Sequence, residues 1–190
     1  MVYNQWANRI DLKLLNMKRV VLASLVVCMM VACNMVRFEV PQPNGVQNLT
    51  KISDKLTGMF IGSDHDTLMV DVGWFSFKST KGDMNVDLKL SDSTVIRQYK
   101  GYYFLSNQEA DGWNVVAMEP KSGDRVTLLM LYVDNADRLA RIQKIVKLRE
   151  KKRDGETDCY LANPTKEELI KLLEQGLFEE IVTLQKPLKD

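Results

Sequence analysis

One stretch of the sequence decides the fold class: Met84-Asn85-Val86-Asp87-Leu88-Lys89-Leu90. Apolar and polar side chains alternate along it without a break. Successive side chains of a β-strand point to opposite faces, so the pattern predicts a strand with one face buried and the other in water. Half-buried strands of this kind are typical of antiparallel sheets, whose outer face can be solvated.

Similar short runs flank this stretch and are separated by turn residues. Upstream, Thr57–Gly62 and Thr67–Val72 are joined by the polar turn Ser63-Asp64-His65-Asp66. Downstream, the predicted strands are Thr94–Tyr99, Gly101–Ser106, Trp113–Met118 and Arg125–Val133. Seven or so strands at this spacing predict an antiparallel meander, a sandwich or a partly closed barrel.

A first helix is predicted within Asp134–Arg153. Leu139 and Ile142 lie at helical spacing there, and Asn135 fits the N-cap position. An alternative remains open in which this stretch turns into a strand near Ile145.

A second helix has the stronger local signal. Thr165 and Glu168 form a T-x-x-E capping box, and Gly176 fits the residue that ends the helix. A final strand is predicted at 181–184. The fold class is therefore α+β, predominantly antiparallel β with one or two helices near the C-terminus.

The N-terminal residues 1–32 have the features of a secretory signal peptide. Lys18 and Arg19 precede the apolar run Val20–Val31, and Ala32 is a small residue of the kind that precedes a cleavage site. The run is short for a membrane span, which needs about 20 apolar residues. An ordinary signal peptide or an uncleaved anchor helix are the competing interpretations. Met17 is a candidate for the true start, with residues 1–16 an upstream extension.

The lipid acceptor is predicted to be Cys33. Met30-Val31-Ala32-Cys33 resembles a lipobox, the signal by which bacterial lipoproteins are diacylated on cysteine and cleaved directly before it. Cys28 fits less well, because Val27 is too bulky for the position before the cut. Several buried acyl chains hold a protein on a membrane far more firmly than one.

The chain after the signal peptide divides into two predicted parts. Residues 33–55 are expected to be the lipidated cysteine and a tether, because Pro41, Pro43 and Gly45 disfavour regular structure. Residues 56–190 are expected to form a single globular β-rich domain.

Charge and cysteine content restrict the possible functions. Residues 1–32 contain four basic and one acidic side chain, so residues 33–190 contain 22 basic and 24 acidic ones. Such a domain has no overall charge that would attract nucleic acid, and we expect no nucleic-acid partner. Cys159 is the one cysteine in the body of the domain and is expected to be a small buried residue.

Few residues suggest chemistry. The only histidine lies in Asp64-His65-Asp66, which is more typical of a solvated turn than of a metal site, since no Cys or His partner recurs at ligand spacing. We therefore expect no cofactor, no metal and no catalytic residue. Seven aromatic residues of the predicted strands could line a ligand cavity, although strand aromatics usually belong to the core. They are Phe75, Phe77, Tyr99, Tyr102, Tyr103, Phe104 and Trp113.

One basic stretch is a candidate contact with anionic headgroups or with a partner protein. An ordinary solvated face is the competing interpretation. Its residues are Arg138, Arg141, Lys144, Lys147, Lys151 and Lys152.

On these motifs the chain resembles small uncharacterised lipoproteins of Bacteroides-type Gram-negative bacteria. The motifs are the lipobox at Cys33 together with Leu56-Thr57-Gly58-Met59-Phe60, Asp66-Thr67-Leu68, Tyr99-Lys100-Gly101-Tyr102-Tyr103-Phe104-Leu105 and Asn163-Pro164-Thr165-Lys166-Glu167-Glu168-Leu169. The resemblance implies a location only: the cell envelope, with the outer membrane favoured over the inner. It carries no activity.

The expected function is that of a non-enzymatic, membrane-anchored binding or structural protein. Its expected partners are the membrane, through the lipid anchor, and an envelope protein or wall component. A small-ligand carrier with a hollow β-barrel is the alternative. A hollow barrel predicts an internal cavity, whereas an interaction protein predicts a filled core and an exposed apolar or basic patch.

Overall fold

The computed structural model describes residues 34–54, 56–81, 85–122 and 124–187. These residues form one hydrogen-bonded sheet with two short helices. The strands are β1 (Asn34–Phe38), β2 (Gly58–Gly62), β3 (Thr67–Asp71), β4 (Trp74–Lys78), β5 (Asn85–Lys89), β6 (Thr94–Tyr99), β7 (Tyr102–Glu109), β8 (Gly112–Lys121), β9 (Arg125–Met130), β10 (Tyr132–Val133), β11 (Leu148–Arg153), β12 (Glu156–Ala162) and β13 (Glu179–Gln185). The helices are α1 (Ala136–Gln143) and α2 (Lys166–Glu174).

The sheet branches at β8, its longest strand. Its main order is β11-β12-β1-β8-β9-β13-β2-β3-β4-β5, with β7 and then β6 added beside β8, and β10 beside β1. The β1–β12 pair is parallel, and the other pairings among the described strands are antiparallel. The predicted antiparallel-rich architecture is therefore confirmed at this level, and across the described residues the sheet does not close on itself.

Strands β2–β5 form an antiparallel meander, and its last strand, β5, confirms the strand that the alternating pattern predicts. In β5, Val86 and Leu88 are half-buried while Asn85, Asp87 and Lys89 are exposed. Phe75 of β4 pairs with Leu88, so the apolar face of β5 continues that of its neighbour.

Two hydrophobic cores lie on opposite faces of β7, β8 and β9, which we call the central strands. Phe104 of β7 and Ala117 of β8 face a core shared with α1 and α2. Tyr103 and Leu105 of β7, with Met118 of β8, face a core shared with the meander. Because side chains alternate along a strand, each central strand serves both cores, and the domain has three layers: helices, central strands and meander.

Local sequence signals fix both helices. Asn135 caps α1 by accepting a hydrogen bond from the Arg138 amide at 2.8 Å. After α1 the chain becomes strand β11, which is the alternative left open for this stretch. The capping box at Thr165 is confirmed: its hydroxyl accepts from the Glu168 amide at 3.2 Å, and the Glu168 carboxylate accepts from the Thr165 amide at 2.8 Å. Gly176 follows α2 with a φ of 64°.

The predicted tether is wrong for the part of it that the structure describes. Asn34–Phe38 is strand β1, and Phe38 is fully buried. The following loop crosses β6, where Arg97 donates hydrogen bonds to the carbonyls of Pro41 and Pro43. Pro and Gly disfavour regular structure, but here they build a loop that packs against the sheet instead of a free linker. The Leu49 amide donates to the Ile96 carbonyl at 2.8 Å, which adds to this packing.

A close backbone approach places β1 in the sheet. Gly112 begins β8 with a φ of 132°, and a side chain there would place its Cβ 2.9 Å from the carbonyl oxygen of Phe38. Only glycine accommodates both the conformation and the contact. The predicted Asp111-Gly112 turn therefore also fits β8 against β1.

Candidate functional site

An apolar cavity of about 80 Å³ lies between the meander and the central strands. It is lined by side chains of β3–β5 on one side and β7–β9 on the other, with Ile181 of β13 at its edge. The lining residues are Leu68, Phe75, Phe77, Val86, Leu88, Leu105, Val116, Met118, Leu128, Met130 and Ile181. A cavity with no polar side chain in its wall is expected to stay dry.

A polar cleft of about 460 Å³ adjoins this cavity, and Phe77 and Ile181 line both. The cleft is open to solvent and is bordered by β13, the β2–β3 turn and the end of β4. Its other lining residues are Ser63, Asp64, Asp66, Ser79, Lys81, Glu180, Val182 and Thr183.

The cleft exists because β13 and β2 pair over only a short length. β13 pairs with β2 through Leu184 and Gln185 alone, while Glu179–Gln185 pairs with β9 along its length. The register of the β13–β9 pair shifts between Glu180 and Val182, which places an extra residue, Ile181, at the mouth of the apolar cavity. Bulges bend a strand and redirect its side chains.

Hydrogen bonds and an ion pair join the β2–β3 turn to the residues that follow β4, at the rim of the cleft. Asp66 accepts a hydrogen bond from the Thr80 amide at 2.8 Å, and the Thr80 hydroxyl donates to the Asp64 carbonyl at 2.7 Å. Lys81 forms an ion pair with Asp64 at 3.0 Å. The hydrogen bond and charge of Lys81 lower the pKa of the Asp64 carboxyl.

The charges on the cleft are mostly negative. Asp64, Asp66 and Glu180 face one lysine, Lys81, among the lining residues. The cleft therefore favours a cationic or hydrogen-bond-donating group over an anion, and the adjoining cavity favours a short apolar group.

Among the described residues, no group of reactive side chains converges on His65 or Cys159. His65 is exposed on the β2–β3 turn with a φ of 65° and does not line the cleft. Cys159 is buried in β12, and burial raises the pKa of its thiol, so the reactive thiolate is disfavoured. Within the described parts of the chain, no three His, Cys, Asp or Glu side chains converge as metal ligands would.

Most of the predicted basic contact residues are engaged inside the domain. Arg138 forms an ion pair with Glu179 and donates to the Leu177 carbonyl at 2.6 Å. The remaining contacts are Arg141 to the Gln175 carbonyl, Lys151 to Asp111 and Lys152 to Glu150. Lys144 and Lys147 are exposed and form no ion pair with any residue that the structure describes.

The predicted lipid acceptor, Cys33, lies outside the described residues, and the first described residue, Asn34, begins β1. Among the helices that the structure describes, none has the length and apolar character needed to span a bilayer.

An exposed apolar surface lies on the outer face of the meander. Met59 of β2 is directly opposite Met69 of β3, and both are about 40% exposed. Ile61 of β2 and Trp74 of β4 are exposed on the same face, and Val72 is exposed in the adjoining β3–β4 turn. Solvent-exposed clusters of large apolar side chains mark interaction surfaces. We refer to these five residues as the meander surface.

Sequence reasoning missed both the cleft and the meander surface. Phe75 and Phe77 belong to the core and also line the cavity, whereas the other five aromatic candidates do not line it. Ile181–Leu184 was predicted as a strand, but the bulge that brings Ile181 to the cavity depends on pairing with a distant strand. No family model, curated protein or solved structure matches this chain.

Proposed function

We propose that this protein is a membrane-anchored, exported lipoprotein that acts as a non-enzymatic binding or structural protein of the cell envelope. The observation that carries the proposal is the order of the N-terminal signals: Lys18 and Arg19, then the apolar run Val20–Val31, then Met30-Val31-Ala32-Cys33, which resembles a lipobox. Strand β1 follows this segment, and its residues Met35 and Val36 are already paired with β10 and β12.

The meander surface supports a binding role. It places five large apolar side chains in solvent, whereas the opposite face of the same strands is filled by core residues such as Phe60 and Phe75. An envelope protein or a wall component is the proposed partner, and the outer membrane is the proposed location.

Incorporation of labelled palmitate tests the anchor. Wild-type protein expressed in a Gram-negative host that processes lipoproteins should take up label, and Cys33→Ser should not. The matched control, Cys28→Ser, should label like the wild type. Equal labelling of wild type and Cys33→Ser would refute the proposal, and loss of label in Cys28→Ser alone would move the site to Cys28.

A small-ligand carrier is the second candidate, and the apolar cavity is the observation in its favour. Since the described sheet does not close, the ligand space is a slot between layers and not the interior of a barrel. Ligand pockets typically enclose about 300–1,000 Å³, so a slot of about 80 Å³ accepts only the end of a short chain.

The charges of the cleft define a test for this candidate. Pentylamine should shift the NMR signals of methyl groups at Val86 and Leu88 in a saturable manner, whereas pentanoate should not, because the rim is acidic. If neither compound causes saturable shifts, the carrier candidate is refuted.

A further inference from the structure

We infer that the domain rests directly on the membrane, with one particular end of its sheet against the lipid headgroups. The inference depends on the proposed acylation of Cys33. Consecutive Cα atoms are about 3.8 Å apart, and Asn34 is already paired with Val133 of β10. Two residues further on, Val36 is paired with Tyr160 of β12. No flexible spacer therefore separates the acylated residue from the rigid sheet.

The strand register identifies the residues at this end, which we call the anchor end. β12 runs parallel to β1, so its first residues, Glu156 and Thr157, lie at the level where β1 begins. β11 is antiparallel to β12 and finishes there, with Lys152 opposite Thr157 and Arg153 opposite Glu156. On the other side of β1, the chain leaves β10 at Asp134.

The same register places other basic residues at the far end. Phe38, the last residue of β1, pairs with Ala162, and Ala162 pairs with Leu148, the first residue of β11. Lys147 directly precedes Leu148 and therefore lies at the level of Phe38. Four steps of about 3.3 Å separate Asn34 from Phe38, which is roughly 13 Å along the strand. That exceeds the screening length of about 8 Å at physiological salt.

Three of the six basic residues predicted to contact headgroups are thereby placed. Lys151 and Lys152 belong to the anchor end, whereas Lys147 lies beyond the reach of the surface potential. Charge adds little at the anchor end, because Lys151 pairs with Asp111 and Arg153 pairs with Asp158. The acyl chains supply the affinity and the direct junction supplies the orientation, so the surface fits a phosphatidylcholine bilayer without anionic lipid.

Spin labels at two exposed lysines of one segment test this orientation. Lys152→Cys at the anchor end and Lys147→Cys at the far end are made separately in full-length protein carrying Cys28→Ala and Cys159→Ala. Each protein is purified from membranes, its acylation is verified by mass spectrometry, and it is reconstituted into phosphatidylcholine vesicles. Power saturation then measures collisions of the nitroxide with a water-soluble nickel chelate.

We expect the label at 152 to collide with the nickel chelate several-fold less often than the label at 147. A ten-residue Gly-Ser insertion between Cys33 and Asn34 should abolish the difference, because such a linker spans roughly 16–19 Å. Equal collision rates in acylated protein without the insertion would overturn the orientation, as would a difference that the insertion leaves unchanged. A mass without acyl groups would instead overturn the proposed lipidation.

Discussion

Asp111 shows how a single side chain joins strands that are distant in sequence. It lies in the β7–β8 turn and forms ion pairs with Lys151 and Arg153 of β11 and with Arg37 of β1. The hydrogen bond from Lys151 is the main reason why the pKa of this carboxyl is lowered, and the three positive charges act in the same direction. The charged form of Asp111 therefore stabilises the folded domain.

The sign of this effect predicts how stability depends on pH. Because the pKa of Asp111 is lower in the folded state than in the unfolded chain, its contribution is present above the unfolded pKa of about 4. It is lost as pH falls through the lower, folded-state value. Asp111→Asn should therefore reduce the loss of denaturant stability between pH 5 and pH 2 compared with wild type. Asp92→Asn is the control, because it removes the same charge at an exposed turn where the described structure shows no ion pair. A profile for Asp111→Asn that parallels the wild type would contradict this assignment.

The capping box of α2 gives a second prediction at the scale of the residue. Thr165→Ala removes the hydroxyl that satisfies the Glu168 amide, and the typical cost of such a lost cap is about 1 kcal/mol. Thr165→Ser retains the hydroxyl and should retain most of the stability. Chemical denaturation of the domain measures both, and equal midpoints for Thr165→Ala and wild type would show that the cap contributes nothing.

Strand β1 carries the largest difference between prediction and structure at the scale of the element. The alternation in β5, the cap at Asn135 and the capping box at Thr165 are local patterns, and the structure contains all three. β1 lacks a local pattern of this kind. Its place in the sheet depends on pairing with β8, β10 and β12, which all lie much later in the chain. Its apolar residues, Val36 and Phe38, were the available signal, and the prolines that follow them obscured it.

Truncation of a β1 side chain distinguishes a sheet strand from a tether. Phe38 is fully buried in the core that includes both helices, so Phe38→Ala should destabilise the domain by about 3–5 kcal/mol. Gln47→Ala, in the exposed loop of the same segment, should change stability by less than about 0.5 kcal/mol. Denaturant unfolding of the two variants gives the comparison. A Phe38→Ala protein as stable as wild type would restore the tether interpretation.

At the scale of the whole molecule, the candidate sites depend on contacts between distant strands, and no local sequence pattern predicts these contacts. The apolar slot needs two layers to face each other, and the cleft needs the part of β13 before Leu184 to stay unpaired with β2. The meander surface was hidden for a different reason: Met69 and Val70 are equally apolar in the sequence, and only the third layer decides that Val70 is the buried one. Local propensity therefore predicted elements, whereas long-range packing determined the sites.

The final prediction concerns the whole domain: it has no activity that depends on His65 or Cys159. Catalysis by a nucleophile or a metal requires several convergent groups with tuned pKa values. In the described structure His65 is exposed on a turn outside the cleft, while Cys159 is buried and its thiol pKa is raised. The acidic cleft holds Asp64, Asp66 and Glu180, and acid–base chemistry by a pair of carboxylates is the one route that does not need either residue.

Purified protein should therefore be screened against ester, peptide, phosphate and glycoside substrates, with His65→Ala and Cys159→Ala in parallel. We expect no turnover above that of a buffer blank in any of the three proteins. Turnover that either substitution abolishes would refute the prediction, because the substituted residue would then take part in the reaction. Turnover that survives both substitutions but is lost in Glu180→Gln would assign the activity to the cleft, since the carboxylate of Glu180 is exposed there and forms no hydrogen bond or ion pair with a described residue.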